Sequence, residues 1–122
     1  MKRCLVADQS EIIRKVARHY LEQLSYEVLE ADSADAALAL CGETTIDAII
    51  LDWRLPGKTP VEFLSALRFT YAKQRPLIIY ATSENDPADI SRAFSAGADT
   101  YLMKPFDHNA FMNTLATTGL AA

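Results

Sequence analysis

The chain contains few cysteines and histidines, and this scarcity narrows the kinds of site that it can build. Its two cysteines, Cys4 and Cys41, are far apart and lack the CxxC spacing of redox and zinc motifs. We therefore expect two buried, reduced thiols in a cytosolic protein. The two histidines, His19 and His108, are also distant in sequence and have no neighbouring partner, which argues against a metal or nucleophilic site built on imidazole.

An excess of positive charge and a long hydrophobic run are also missing. Lysine and arginine number 12 against 16 aspartates and glutamates, for a net charge of −4, so no nucleic-acid partner is expected. No apolar stretch approaches the roughly 18 residues that span a membrane. Residues 1–5 run directly into a predicted strand without a signal-peptide core. We expect a cytoplasmic protein that binds no membrane.

The basic residues that are present are scattered along the chain. Arg14, Lys15 and Arg18 lie within one predicted helix, and we interpret them as solvent-facing side chains.

No excess hydrophobic face is evident, so a monomer is the simplest expectation.

Length and patterning indicate one α/β domain without an output domain. At 122 residues, with 50% hydrophobic and 23% charged residues, the chain has room for one sizeable core. Short apolar runs alternate five times with helical patterns, without a linker or repeat. Such βα units, joined by right-handed crossovers, form a parallel sheet between helix layers. The predicted strands lie at about residues 2–7, 27–31, 48–51, 77–81 and 100–103.

The predicted helices have recognisable ends. Thr59-Pro60-Val61-Glu62 combines an N-cap, a proline at the first helical position and a glutamate three residues on. The fourth helix begins at Asp86-Pro87, turns Ala93 and Phe94 inward and stops at Gly97. The other helices lie at about residues 11–24, 34–41 and 109–115, behind the candidate caps Ser10, Ser33 and Asp107.

Four of the apolar runs end in a polar side chain: Asp8, Asp52, Thr82 or Lys104. Continuous apolar runs are typical of strands buried on both faces. The carboxyl ends of such strands border the ligand crevice of an open parallel sheet. We therefore expect two carboxylates, a hydroxyl and an ammonium to form a small charged site there.

These residues lie in four ordered motifs, which are Leu5-Val6-Ala7-Asp8-Gln9-Ser10, Ile50-Leu51-Asp52-Trp53-Arg54-Leu55-Pro56-Gly57, Ala81-Thr82-Ser83 and Met103-Lys104-Pro105-Phe106. With them the chain resembles response-regulator receiver domains, in particular stand-alone, chemotaxis-type (CheY-like) receivers. The resemblance implies a (βα)5 flavodoxin-like, doubly wound sheet with strand order 2-1-3-4-5, which is the order of the chemotaxis receiver itself. It also implies a cis bond between Lys104 and Pro105.

The resemblance implies a role for each site residue in phosphoryl transfer. Asp52 would accept the phosphoryl group from a histidine kinase or phosphotransferase. Lys104 would pair with the acceptor and then with the phosphoryl group. Thr82 would bind a phosphoryl oxygen, and the Tyr101 rotamer would follow it. The surface of the fourth helix, fifth strand and fifth helix would then control a protein partner, so that the domain signals and is not an enzyme.

A magnesium site is also implied, with one departure from the family pattern. Asp8, Asp52 and the backbone carbonyl of Arg54 would hold Mg²⁺. The family normally has two adjacent acids after the first strand, whereas the second position here is Gln9. A neutral amide holds a hard dication less well than a carboxylate, so we predict weak Mg²⁺ binding.

Arg54 and Glu84 flank the acceptor and have opposite charges. If they pair across the mouth of the site, they would hinder the attacking water and lengthen the phosphoryl lifetime. Two exposed, unpaired side chains are the alternative.

Other functions fit the chain less well. Gln9 alone supports a pseudo-receiver that binds partners without phosphorylation. An aspartate-based phosphatase would need a second acid at the position of Arg54, and a flavodoxin-like redox protein would need a phosphate-binding loop in place of residues 8–12.

Overall fold

The computed structural model describes residues 2–70, 76–83 and 87–118. In these ranges five parallel strands form one sheet in the order β2-β1-β3-β4-β5, as predicted. The strands are β1 (Arg3–Ala7), β2 (Glu27–Ala31), β3 (Ala48–Asp52), β4 (Leu77–Thr82) and β5 (Thr100–Met103), and the helices are α1 (Glu11–Gln23), α2 (Ala34–Glu43), α3 (Pro60–Thr70), α4 (Pro87–Ala96) and α5 (His108–Thr118).

The central strands are buried on both faces, because helices cover the sheet on each side. In β3, Ile49 and Leu51 pack with Phe63 of α3, whereas Ile50 packs with Phe111 of α5 on the opposite face. Apolar side chains therefore occupy successive positions of the strand, and the pattern is continuous rather than alternating. The edge strand β2 is less buried, with Glu27 exposed and Leu29 and Glu30 half-buried.

The predicted capping interactions are present. Thr59 and Glu62 form a reciprocal capping box, with the Glu62 N–H donating to Thr59 Oγ1 at 3.1 Å and the Thr59 N–H to Glu62 Oε1 at 2.9 Å. Gly97 ends α4 with a φ of 127°, a conformation that glycine adopts without strain. Ser10, Ser33 and Asp107 each accept a hydrogen bond from the first turn of a helix.

One local expectation was wrong. Phe94, expected to point inward from α4, is 41% exposed, whereas Ala93 is buried. The rings of His19 and His108 both contact Tyr20, with centroids 6.1 and 5.1 Å away. Asp86, predicted to open α4, lies outside the described residues. None of the described helices is long and apolar enough to cross a membrane.

Candidate functional site

Two buried carboxylates and one ammonium meet at the carboxyl edge of the sheet. Lys104 Nζ donates to Asp8 Oδ2 at 2.6 Å and to Asp52 Oδ1 at 2.8 Å. Both aspartates are 2% exposed, and the Lys104 side chain is 14% exposed. The Lys104–Pro105 peptide bond is cis, as the resemblance implies. When both acids are ionised, the cluster of two carboxylates and one ammonium has a net charge of −1. The ion pairs with Lys104 offset the free-energy cost of burying the two carboxylates.

Backbone N–H groups surround the same carboxylates. Asp8 Oδ1 accepts the Ser10 N–H at 2.8 Å. Asp52 Oδ1 accepts the Arg54 N–H at 3.3 Å, and Asp52 Oδ2 accepts the Gln9 N–H at 3.4 Å. Burial raises the pKa of the Asp8 carboxyl, and the hydrogen bonds from Lys104 and Ser10 act in the opposite direction. Each aspartate is therefore held in one orientation with an oxygen directed at the ammonium.

Thr82 lies beside this cluster at the end of β4. Asp52 pairs with Ala81 across the β3–β4 ladder, which places Thr82 one residue beyond the acceptor candidate. Thr82 is fully buried, and its carbonyl accepts the Lys104 N–H at 2.8 Å. The backbone thus connects Thr82 directly to the residue that carries the ammonium.

Tyr101 is placed outside the cluster. It is 43% exposed on β5, and its ring meets Phe94 of α4 edge-on with centroids 6.3 Å apart. The two rings border a groove of about 480 Å³ between α4 and β5. The exposed Phe94, which the sequence prediction turned inward, therefore belongs to the surface that includes Tyr101.

Arg54 stacks on its neighbour at the mouth of the site. Its guanidinium carbon lies 4.4 Å from the centroid of Trp53, the only tryptophan of the chain. Glu84, its predicted partner, lies outside the described residues, so the proposed Arg54–Glu84 pair stays a prediction.

The ligands at the carboxyl edge suit a hard dication. Mg²⁺ typically binds one or two protein carboxylates and keeps several waters. Asp8 and Asp52 are two such carboxylates, and the exposed Gln9 adds a neutral side chain beside them. No cluster of three or more His, Cys, Asp or Glu residues that could hold a metal ion is found in the described part of the chain. The residues present therefore fit Mg²⁺, but they offer it only two negatively charged ligands.

Two residues of this region were missed by the sequence prediction. Arg14 was expected to face solvent, but its side chain is 15% exposed and its Nη1 donates to the Asp8 carbonyl at 2.8 Å. Its Nε donates to Glu30 Oε1 at 3.1 Å. A charged residue inside β2, between Leu29 and Ala31, was the available signal for this pair.

Comparison with protein families matches residues 4–116 to the response regulator receiver domain. The chain belongs to this family, since the match covers nearly all of it. The predicted fold class and the resemblance are therefore confirmed, and the chain is a receiver domain of a two-component response regulator with a CheY-like fold. Receiver domains are signalling domains rather than classical enzymes. The comparisons lend no support to the pseudo-receiver alternative.

Three known proteins illustrate the similarity. The chain is 36% identical over 102 residues to the transcriptional regulatory protein ResD of Bacillus subtilis, covering 84% of this chain and 41% of ResD. The chain thus spans less than half of that relative. The chemotaxis response regulator CheY4 of Vibrio cholerae superposes with a TM-score of 0.87 at 32% identity, covering 96% of this chain and 98% of CheY4.

A third similar structure is a response regulator protein from Burkholderia pseudomallei with a phosphorylated aspartic acid, a calcium ion and citrate. It superposes with a TM-score of 0.79 at 27% identity, covering 99% of this chain and 72% of that protein. Metal binding is general among receiver domains, which usually take Mg²⁺.

Proposed function

We propose that this domain accepts a phosphoryl group on Asp52 from the phosphohistidine of a histidine kinase or phosphotransferase. The observation that carries the proposal is the contact of Lys104 Nζ with both buried carboxylates at 2.6 and 2.8 Å. It places a positive charge beside the acceptor oxygens, where charge is transferred with the phosphoryl group.

The transfer itself requires little chemistry from the protein beyond positioning. A carboxylate oxygen of Asp52 forms a bond to phosphorus as the P–N bond to the donor imidazole breaks, and the bonding electrons return to that nitrogen. The product is an acyl phosphate. Lys104 then balances the charge of the phosphoryl oxygens, and the Thr82 hydroxyl binds one of them.

Mg²⁺ would be held by Asp8, Asp52 and the backbone carbonyl of Arg54, with Gln9 as a weak ligand or none. When bound, it supplies further neutralisation of the phosphoryl oxygens. Asp8 alone contributes a carboxylate from the β1–α1 loop, because Gln9 is neutral. Weak metal binding is therefore part of the proposal.

The α4–β5–α5 surface would be the part of the domain that a downstream protein recognises. Movement of Thr82 toward the phosphoryl group would let Tyr101 turn inward from its position against Phe94, which is 6.3 Å away between ring centroids. The groove between α4 and β5 would change shape, and a downstream protein would bind one of its two forms. We propose that the domain works in the cytoplasm as a monomer, within a phosphorelay.

Mass spectrometry tests acceptor chemistry directly. The protein is incubated with Mg²⁺ and acetyl phosphate or a phosphorylated histidine donor, and a gain of one phosphoryl group is expected. Asp52→Asn should abolish the gain, whereas Asp35→Asn, at an exposed position of α2, should not. Absence of the gain with every donor, in a folded protein, would contradict the proposal and favour the pseudo-receiver.

A further inference from the structure

A cluster of charges at the edge of the sheet lies next to the acceptor site and has no part in the proposed transfer. Glu30 of β2 receives Arg14 Nε at 3.1 Å and Lys15 Nζ at 2.9 Å, and Arg18 Nε lies 3.1 Å from its second oxygen. The side chains of Arg14 and Glu30 are 15% and 14% exposed, so this pair is shielded from solvent, whereas Lys15 is 57% exposed.

Arg14 extends from this cluster to the backbone of Asp8. Its Nη1 donates to the Asp8 carbonyl at 2.8 Å, while the Asp8 N–H donates to the Ala31 carbonyl at 3.0 Å. The end of β2 therefore holds the Asp8 backbone at two points, directly through Ala31 and indirectly through Glu30 and Arg14. The rigid fork of a guanidinium is suited to making the two contacts of Arg14 at once.

The Asp8 carbonyl shares a peptide unit with the N–H of Gln9. A peptide unit is planar, so a hydrogen bond that fixes its oxygen also fixes the direction of its N–H. The Gln9 N–H points at Asp52 Oδ2, with a donor–acceptor distance of 3.4 Å. Asp52 Oδ1, in contrast, is already engaged by Lys104 and the Arg54 N–H.

We propose that Arg14, held by Glu30, is a positioning residue of the acceptor site, because it orients the Asp8–Gln9 peptide so that its N–H faces the free side of the Asp52 carboxylate. The inference rests on the proposed function of Asp52. Arg14 itself touches neither the acceptor carboxylate nor the transferred group, and acts only through the peptide.

The test compares Arg14→Met and Arg14→Lys with a matched control, Lys15→Met. Lys15 binds the same glutamate from the same helix, and the described residues show no hydrogen bond or ion pair between Lys15 and Asp8. Arg14→Met should slow phosphorylation by acetyl phosphate and Mg²⁺ roughly tenfold, as is typical when a group that orients a ligand is lost. Arg14→Lys should restore little of the rate, because an ammonium lacks the fork, and Lys15→Met should stay near the wild-type rate.

A second readout is independent of phosphorylation. The Gln9 amide resonance in ¹H–¹⁵N spectra should shift in Arg14→Met and in Glu30→Gln, and should stay in place in Lys15→Met. An unmoved Gln9 resonance together with a wild-type rate in folded Arg14→Met would overturn the inference. If the wild-type protein accepts no phosphoryl group, the proposed function fails first, and an unmoved resonance then rejects the positioning role separately.

Discussion

Lys104 Nζ lies 2.6 Å from Asp8 Oδ2, although the two residues are 96 positions apart in the chain. The same ammonium contacts Asp52 at 2.8 Å, so one cation connects the ends of β1 and β3 with the loop after β5. Both carboxylates are buried, and each would be uncompensated without it. The candidate acceptor site therefore also helps to hold this edge of the sheet together.

Removal of this ammonium should destabilise the fold. Lys104→Met leaves two buried carboxylates without a counter-charge, and we expect the free energy of unfolding at pH 7 to fall by about 3 to 5 kcal/mol. Urea denaturation measures the change, with Lys2→Met, at an exposed position, as control. Adding Asp52→Asn should recover part of the loss, because one of the repelling charges is then gone. A Lys104→Met protein as stable as wild type would show that solvent compensates both charges.

A second acid beside Asp8 should strengthen metal binding. Gln9→Asp adds a charged ligand, and we expect the Mg²⁺ affinity to rise roughly tenfold. Trp53 follows Asp52 directly, so its fluorescence reports the titration. Gln23→Asp, exposed near the end of α1, is the control for a change in net charge. An affinity of wild type equal to or above that of Gln9→Asp would refute the weak-metal prediction.

Loss of the Arg54 side chain should shorten the phosphoryl lifetime. Its guanidinium lies 4.4 Å from the Trp53 ring centroid, two residues after Asp52, where we expect it to hinder the attacking water. We expect Arg54→Ala to lose its phosphoryl group faster than wild type. Loss of the bound phosphoryl group after removal of the donor measures the rate, with Arg18→Ala as control. An unchanged rate would defeat the shielding role.

The Glu30 cluster should give a pH-dependent contribution to stability. Burial raises the pKa of Glu30, but the hydrogen bonds from Lys15 and Arg14 outweigh it and bring the pKa below its usual value of 4.5. Because the folded-state pKa is the lower one, the stabilisation is present above the unfolded pKa and is lost as pH falls through the folded pKa. The stability difference between wild type and Glu30→Gln should therefore shrink from pH 6 toward acid. A difference that is constant with pH would argue against an ionised Glu30 in the folded state.

The thiols should be inert in the folded protein. Both cysteines are buried, and burial raises the pKa of Cys4 to about 12, so that almost no thiolate is present at neutral pH. A thiol reagent such as dithionitrobenzoate should react with two groups only after denaturant is added. A rapid reaction of Cys4 in native buffer would show that β1 opens locally.

Local patterns were enough to predict most elements and the composition of the site. The apolar run before Asp52 is typical of a strand buried on both faces, because it is short and rich in the β-branched residue isoleucine. The capping box at Thr59 and the stop at Gly97 depend on backbone groups only a few residues away. Such short-range requirements can be recognised from neighbouring residues in the sequence. The ends of the helices and strands in the structure lie within a few residues of the predicted ones.

The contacts between distant elements were decided only by the tertiary structure. Arg14 looks like a solvent-facing base along its helix, yet Glu30 and the Asp8 carbonyl lie opposite it once β2 pairs with β1. The helical periodicity by itself predicts that Phe94 points inward. In the structure its ring instead packs edge-on against the ring of Tyr101 at the surface. The amino-acid sequence by itself determined which strands end in acids and which helices are capped. Which of those side chains meet depended on strand order and helix packing, because partners tens of residues apart are chosen by three-dimensional geometry rather than by sequence spacing.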